Sequence, residues 1–179
     1  MKRRSIYRLT IDALLAAICF VLGGYIKLDF VVVKITFEAF PVLLAAMMYG
    51  PADGAMVGLI GTFLCQVLAY PLSATTVLWI LPYVIMGAVI GLYAKHWHFQ
   101  NTTRQIRFCV CAAEFMVFVM NTFVIYADAK IYGYYSFAYV FGNMWWRVLF
   151  MVAKSVLLSL FTPKLLVKLT RYTGNGRNY

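Results

Sequence analysis

The chain alternates long apolar stretches with short breaks that are polar or rich in glycine and proline. A helix needs roughly 20 mostly apolar residues to cross the hydrocarbon core of a bilayer, whereas transmembrane barrels show short segments of alternating polarity. The pattern is of the first kind and predicts six transmembrane helices, at about 5–23, 36–50, 53–70, 75–94, 106–127 and 142–166. We therefore expect an all-α integral membrane protein, a bundle of six helices forming a single domain over residues 1–179.

Two local features affect the division into helices. The sequence GPADG at 50–54 contains three turn-forming residue types, and Pro51 has no N–H to donate, so two helices joined by a tight turn are expected there. The start, MKRR before an apolar run, is similar to a secretory signal. The region from Gly23 to Tyr25 is a poor small-residue cleavage site, which favours a retained first helix.

Composition supports a membrane protein: 64% of residues are hydrophobic, 12% are charged and the mean hydropathy is +0.81. With the N-terminus inside, the inner segments hold Lys2, Arg3, Arg4, Arg8, Lys95, Arg104, Arg107, Lys164, Lys168, Arg171 and Arg177, and the outer loops hold Lys27, Lys34 and Lys130. This asymmetry predicts cytoplasmic N- and C-termini, with basic ends at about 1–5 and 167–179. The formal charge of +10 then reflects the inner membrane surface and requires no nucleic acid.

The sequence gives little indication of an enzyme or of a metal site. The sequence has no Walker lysine loop, no HExxH and no GxSxG. The four cysteines, Cys19, Cys65, Cys109 and Cys111, all fall in predicted spans, and the last two point to nearly opposite sides of a helix. We expect no enzyme, metal or cofactor, so that active transport by this chain requires energy from a partner or an ion gradient.

Charged side chains occur inside the last predicted helices. Arg147 and Lys154 lie seven residues apart, and seven residues are two helical turns, so both lie on one side of the helix, with Asn143 one turn before them. Glu114 and Asn121 repeat the spacing on the preceding helix, which runs the other way. Because an ionised side chain at bilayer depth costs about 2.5–3.5 kcal/mol on insertion scales, these groups are expected to face a protein interior or a watery cavity.

The depths at which these charged side chains lie in the membrane suggest separate roles. Glu114 and Lys154 are expected to form a structural ion pair, which leaves Arg147 without an acidic partner at its own depth. A guanidinium matches the geometry of a carboxylate and so invites an anionic ligand. The alternatives are that Arg147 snorkels to outer headgroups or caps carbonyls, and that Lys154 itself contacts a ligand.

Aromatic residues surround the same region. Trp145 and Trp146 precede the arginine, and the loop at 130–143, KIYGYYSFAYVFGN, is dense in Tyr and Phe, which stack on flat rings but also form interfacial belts. Trp79 and Gln66 are candidates for the same cavity, with ordinary packing as the alternative. The expected substrate-binding set is Arg147, Asn143, Trp146, Asn121, Trp79, Gln66 and Tyr135.

Small residues recur four apart. Ala13 and Ala17 lie in the first helix, and small residues at this spacing let helices approach closely in lipid. Two glycine pairs repeat the spacing in later helices: Gly54 with Gly58, and Gly87 with Gly91. For any one pair, internal packing is the favoured interpretation.

Most of the chain resembles the substrate-binding (S) components of energy-coupling-factor (ECF) vitamin transporters. The resemblance rests on TIDALLAAICFVL, VVVKITFEAFPVLLAAMMYGPADGAMVGLIG, AYPLSATT and LPYVIMGAVIGLYAK, and its more specific part is FxxFPVLxAxxxYGPxxGxxVGxxG. It implies a six-helix subunit of a bacterial cell membrane that captures a vitamin and docks on a transmembrane coupling subunit driven by two ATPases. By this resemblance, Ala13 and Ala17 are docking residues.

Within that family, the chain is most similar to the folate branch, through KITFEAFP, through Asn121 with Thr122, and through a last-helix arginine followed by a deeper lysine. It departs from that branch in two places. Gly24 and Tyr25 stand where an Arg–Phe pair is expected, and the lysine follows Arg147 by seven residues rather than about three. Pantothenate or a pyrimidine precursor remain alternative ligands.

Two other classes of function are open. A scaffold subunit similar to those of cell-shape complexes predicts no saturable binding of small molecules. A proton-coupled carrier acting alone, with Glu114 as the titrating group, predicts uptake without an ATPase partner.

Overall fold

The computed structural model describes residues 6–26, 28–29, 34–97 and 102–172. The helices are α1 (Ile6–Gly24), α2 (Ala39–Tyr49), α3 (Pro51–Leu68), α4 (Thr76–His96), α5 (Thr103–Ile131), α6 (Phe137–Phe141) and α7 (Met144–Tyr172). Two short strands, β1 (Leu28–Asp29) and β2 (Lys34–Ile35), pair antiparallel between α1 and α2. The predicted all-α membrane class is confirmed, with this small hairpin added. The predicted basic end at 1–5 lies outside the described residues, and so does the part of the predicted basic end at 167–179 that follows Tyr172, the last residue of α7.

Five helical segments are long and apolar enough to cross a membrane, and α2 is the exception. Its 11 residues rise only about 16 Å at 1.5 Å each, which is half of the hydrocarbon thickness. All residues at 41–48 are buried, because α1, α3, α4, α5 and α7 surround the helix. A helix that is apolar on every side suits either a protein core or the lipid, and α2 is too short to cross the bilayer and is covered by its neighbours. The second predicted span is therefore an embedded core helix.

A single residue makes the turn between α2 and α3. Gly50 has a φ of 105°, in the left-handed region that suits glycine, and it ends α2 and precedes α3. Pro51 is the first residue of α3, a position where a missing N–H costs no helical hydrogen bond. The predicted turn is therefore present, but it is shorter than GPADG.

The α3–α4 contact depends on glycine. A Cβ atom added to Gly54 would lie 2.7 Å from the carbonyl oxygen of Gly87, and one added to Gly87 would lie 2.5 Å from the backbone of Gly54. Both distances are too short for non-bonded atoms, so the helices approach this closely only because both side chains are missing. These glycines serve internal packing.

The first helix presents two different faces. Ala16 and Cys19 are buried against the rest of the bundle, whereas Ala13 and Ala17 are exposed on its surface. At the start of the same helix, the Arg8 guanidinium donates hydrogen bonds to the carbonyl oxygen of Tyr49 and to the carboxylate of Asp53. This unpredicted contact ties α1 to α2 and α3 at the end of the bundle that holds the N-terminus of α1.

Candidate functional site

A cavity of about 620 Å³ lies at the opposite end of the bundle, where α1 ends. Its wall combines the start of α2, the ends of α3 and α5, the starts of α4 and α7, and the loops between them. The lining residues are Thr36, Glu38, Gln66, Tyr70, Pro71, Ser73, Trp79, Tyr83, Asn121, Ile125, Asp128, Tyr132, Tyr134, Tyr139, Val140, Asn143 and Arg147. The volume falls within the roughly 300–1,000 Å³ of small-molecule sites.

Five of the seven expected binding residues lie in this wall. Gln66 comes from α3, Trp79 from α4 and Asn121 from α5, while Asn143 directly precedes α7 and Arg147 lies in its first turn. These five residues are spread over 82 positions of the chain, 66–147, and only the packing of four helices brings them to one cavity.

Arg147 contributes a guanidinium group to the cavity wall. Its Cζ lies 5.5 Å from the ring centroid of Phe118, and its backbone N–H donates to the carbonyl oxygen of Asn143 at 3.2 Å. Within the part of the chain that the structure describes, no carboxylate pairs with it. It also lines a smaller adjoining cavity of about 110 Å³. A half-buried cation in such a hollow can receive an anion through two parallel hydrogen bonds.

Lys154 has different surroundings. Its Nζ lies 2.7 Å from Glu114 Oε2 and donates to the carbonyl oxygen of Thr36 at 3.0 Å. The side chains of Lys154 and Glu114 are 14% and 5% exposed. The charge of this lysine is therefore balanced inside the protein, and the contact joins α5, α7 and the segment before α2.

Two expected binding residues lie elsewhere. Trp146 is 55% exposed and stacks on Phe150, with ring centroids 6.2 Å apart, and it lines neither cavity. Successive residues diverge by about 100° around a helix, so the helical turn that directs Arg147 inward directs Trp146 outward. Tyr135 is also outside the wall: its ring meets Tyr126 edge-on, with centroids 5.4 Å apart. The structure therefore places these two aromatic residues outside the cavity walls.

Tyr83, Glu38 and Thr36 are among the wall residues that the sequence did not suggest. The Tyr83 hydroxyl donates to Glu38 Oε1, and Thr36 Oγ1 donates to the same oxygen at 2.9 Å. Tyr83 follows Trp79 by four residues on α4, and that spacing was a usable signal for a shared face. Glu38 carried no comparable signal, because it lies beside a loop whose path the pattern does not define.

Asp128 joins two loops above the cavity. Its carboxylate accepts hydrogen bonds from Thr75 Oγ1 in the α3–α4 loop and from the Tyr134 hydroxyl in the α5–α6 loop. The hydrogen bond to this carboxylate raises the pKa of Tyr134, because the acceptor favours the neutral phenol. The same two loops meet again where the Ala74 N–H donates to the Tyr132 hydroxyl at 3.1 Å. The α3–α4 and α5–α6 loops are thus hydrogen-bonded to each other over the cavity, and together they are called the roof below.

A helical bundle with apolar outer surfaces and a polar, aromatic cavity roofed by loops is the architecture of a multi-pass membrane protein with room for a small molecule. The family model described as "ECF transporter, substrate-specific component" matches residues 7–167. The chain belongs to this family, as its sequence resemblance implies. It is therefore the substrate-specific component of a transporter rather than an enzyme.

The fold has a counterpart among solved structures. A crystal structure described as FolT bound with folic acid matches 96% of this chain and 96% of its own, with a TM-score of 0.56 and 18% sequence identity. At this identity the match concerns the fold. No curated protein matches the chain significantly in sequence.

Proposed function

We propose that the chain captures an anionic vitamin, folate in the first place, for uptake into the cell. The observation that carries the proposal is the position of Arg147, in the wall of a cavity of about 620 Å³ and with no carboxylate partner among the described residues. A ligand carboxylate would complete this guanidinium, and the enclosed site would strengthen the attraction.

The cavity also suits a flat ring. Trp79, Tyr83 and Tyr139 contribute aromatic surface, while Gln66 and Asn121 contribute hydrogen-bonding groups for the polar edge of a ring. Folate combines such a ring with carboxylates, and folic acid is the molecule bound in the structurally similar FolT. Pantothenate, or a pyrimidine precursor, is the second choice of ligand.

The proposed topology places this cavity on the outer side. With both termini in the cytoplasm, the end of α1 and the roof loops lie at the external face of a bacterial cell membrane. The exposed face that carries Ala13 and Ala17 would dock on a coupling subunit powered by two ATPases. Ligand binding then needs no ATP, and release inside does.

A membrane scaffold is the competing function. It would share the small-residue faces, but it would have no use for a guanidinium in a cavity of this size. The feature that separates the two functions is saturable binding.

Thermal unfolding of the purified chain in detergent tests the proposal. A ligand at one hundred times its Kd stabilises the fold by about 2.7 kcal/mol, so folic acid, pantothenate and aminopyrimidines can be ranked by the shift they cause. Folic acid is expected to give the largest shift. If no water-soluble vitamin shifts the unfolding temperature, the capture function is wrong and the scaffold is favoured.

A further inference from the structure

The carboxylate of Glu38 has one oxygen occupied and one available. Oε1 accepts hydrogen bonds from Tyr83 and Thr36. Oε2 lies against Gly23, at a place where any side chain on that residue would collide with it. Among the described residues, no donor bonds to Oε2, although Glu38 is only 9% exposed and lines the cavity. The fixed oxygen holds the carboxylate in place for a second partner.

A second acceptor lies in the same wall. Asn121 Oδ1 is buried and has no hydrogen-bond partner in the described part of the chain. Asn121 lines both cavities. A buried acceptor without a donor is costly, and a rotation of the Asn121 amide that turns Oδ1 toward a ligand N–H in the cavity would remove this cost.

The charged side chains of the cavity wall limit which ligands the cavity can bind. Two carboxylates, those of Glu38 and Asp128, line the large cavity together with the guanidinium of Arg147. Asp128 already accepts hydrogen bonds from two loops, so Glu38 is the acid left for a ligand. Glu38 would repel a ligand with negative charge at both ends. A ligand with an anion at one end and N–H donors at the other would fit both Arg147 and Glu38.

We propose that Glu38 and Asn121 form an acceptor subsite that selects ligands carrying an amino group beside a ring N–H. The subsite rests on the proposed function, since it requires that the anionic end of the ligand lie at Arg147. It separates the candidate vitamins by chemistry. Folate has both the aminopyrimidine edge and the carboxylates, pantothenate has no such ring, and a simple aminopyrimidine has no anion.

The test compares two ligands on the full chain, folic acid and its 2-desamino analogue. The unmodified protein is expected to bind folic acid roughly 10- to 100-fold more tightly, the range for hydrogen bonds to a charged group. Glu38→Gln should remove most of this preference. The amide oxygen can still accept from Tyr83 and Thr36, but its NH₂ group then meets the ligand's donors. Asn121→Ala should reduce the same preference.

Asp128→Asn is the matched control, because it removes the same charge from the same cavity at a carboxylate that protein donors already occupy. It should change both affinities by one factor and leave their ratio intact. Equal binding of the two ligands by the unmodified chain would overturn the subsite while leaving the capture function standing. A ratio that survives Glu38→Gln would do the same. If the unmodified chain bound neither ligand, the proposed function itself would fail, and the subsite with it.

Discussion

Lys154 Nζ on α7 lies 2.7 Å from Glu114 Oε2 on α5, and the same ammonium donates to the carbonyl oxygen of Thr36. Arg147, two turns earlier on α7, has no such partner among the described residues. One helix face therefore carries two cations with different roles. The lysine is neutralised by the protein and ties elements together, and the guanidinium is the group that we propose for a ligand.

Lys154→Met is expected to destabilise the protein by about 3–5 kcal/mol, because it leaves the Glu114 carboxylate buried without a counter-charge. Adding Glu114→Gln should recover most of the loss, less about 1 kcal/mol for the missing bond to Thr36. Denaturant unfolding in detergent measures both. A double variant as unstable as the single one would contradict the ion-pair account.

Arg147→Ala should weaken folic acid binding by about 2–5 kcal/mol, or roughly 30- to 4,000-fold, because the ligand carboxylate loses its buried partner. The unfolding temperature without ligand should change little, since no ion pair is broken among the described residues. Titration calorimetry measures the affinity. Arg107→Ala, at an exposed position near the other end of the bundle, is the control and should leave binding unchanged. Unaltered affinity in Arg147→Ala would exclude this site.

The combined change Ala13→Leu and Ala17→Leu should preserve ligand binding and abolish uptake by cells, because both positions are on the bundle surface and the added bulk blocks close helix approach. Ala153→Leu makes a similar change at an exposed position of α7 and should preserve both. Uptake of labelled folate and binding to the purified chain are measured in parallel. Normal uptake would rule out docking through this face.

Gly87→Ala should destabilise the bundle by about 1–3 kcal/mol, because the new methyl group would lie 2.5 Å from the backbone of Gly54 and force α3 and α4 apart. Val89→Ala, which trims an exposed side chain on the same helix, should have a much smaller effect. Thermal unfolding distinguishes them. Equal stability of the two variants would mean that the helix contact adjusts easily.

Tyr134→Phe removes one of the two hydrogen bonds that the Asp128 carboxylate accepts from the loops, and it should loosen the contact between these loops. We expect ligand dissociation to accelerate roughly 2- to 10-fold, as the loss of one modest hydrogen bond allows. Stopped-flow displacement of bound ligand measures the rate. Tyr126→Phe, on α5 but outside the cavity wall, is the control. An unchanged rate in Tyr134→Phe would show that the two loops do not limit release.

Residue spacing predicted part of the site. Glu114 and Asn121 are seven residues apart, and Asp128 follows after seven more, so one face of α5 carries all three polar groups. The prediction stopped at Asn121 because the fifth span was predicted to end at about residue 127, whereas α5 extends to Ile131. Of the two tryptophans predicted for the cavity, Trp79 lines it and Trp146 does not, because the direction of a side chain depends on helix rotation, which composition does not reveal.

The sequence by itself determined the membrane class, the number and order of the main helices and the polar faces of α5 and α7. These are local properties: the bilayer sets the length of an apolar segment, and the helical repeat sets which residues share a face. Only the tertiary structure decided that α2 is enclosed by its neighbours and that Glu38 meets Tyr83, 45 residues away. Such contacts depend on how helices rotate and approach one another, which no single segment encodes.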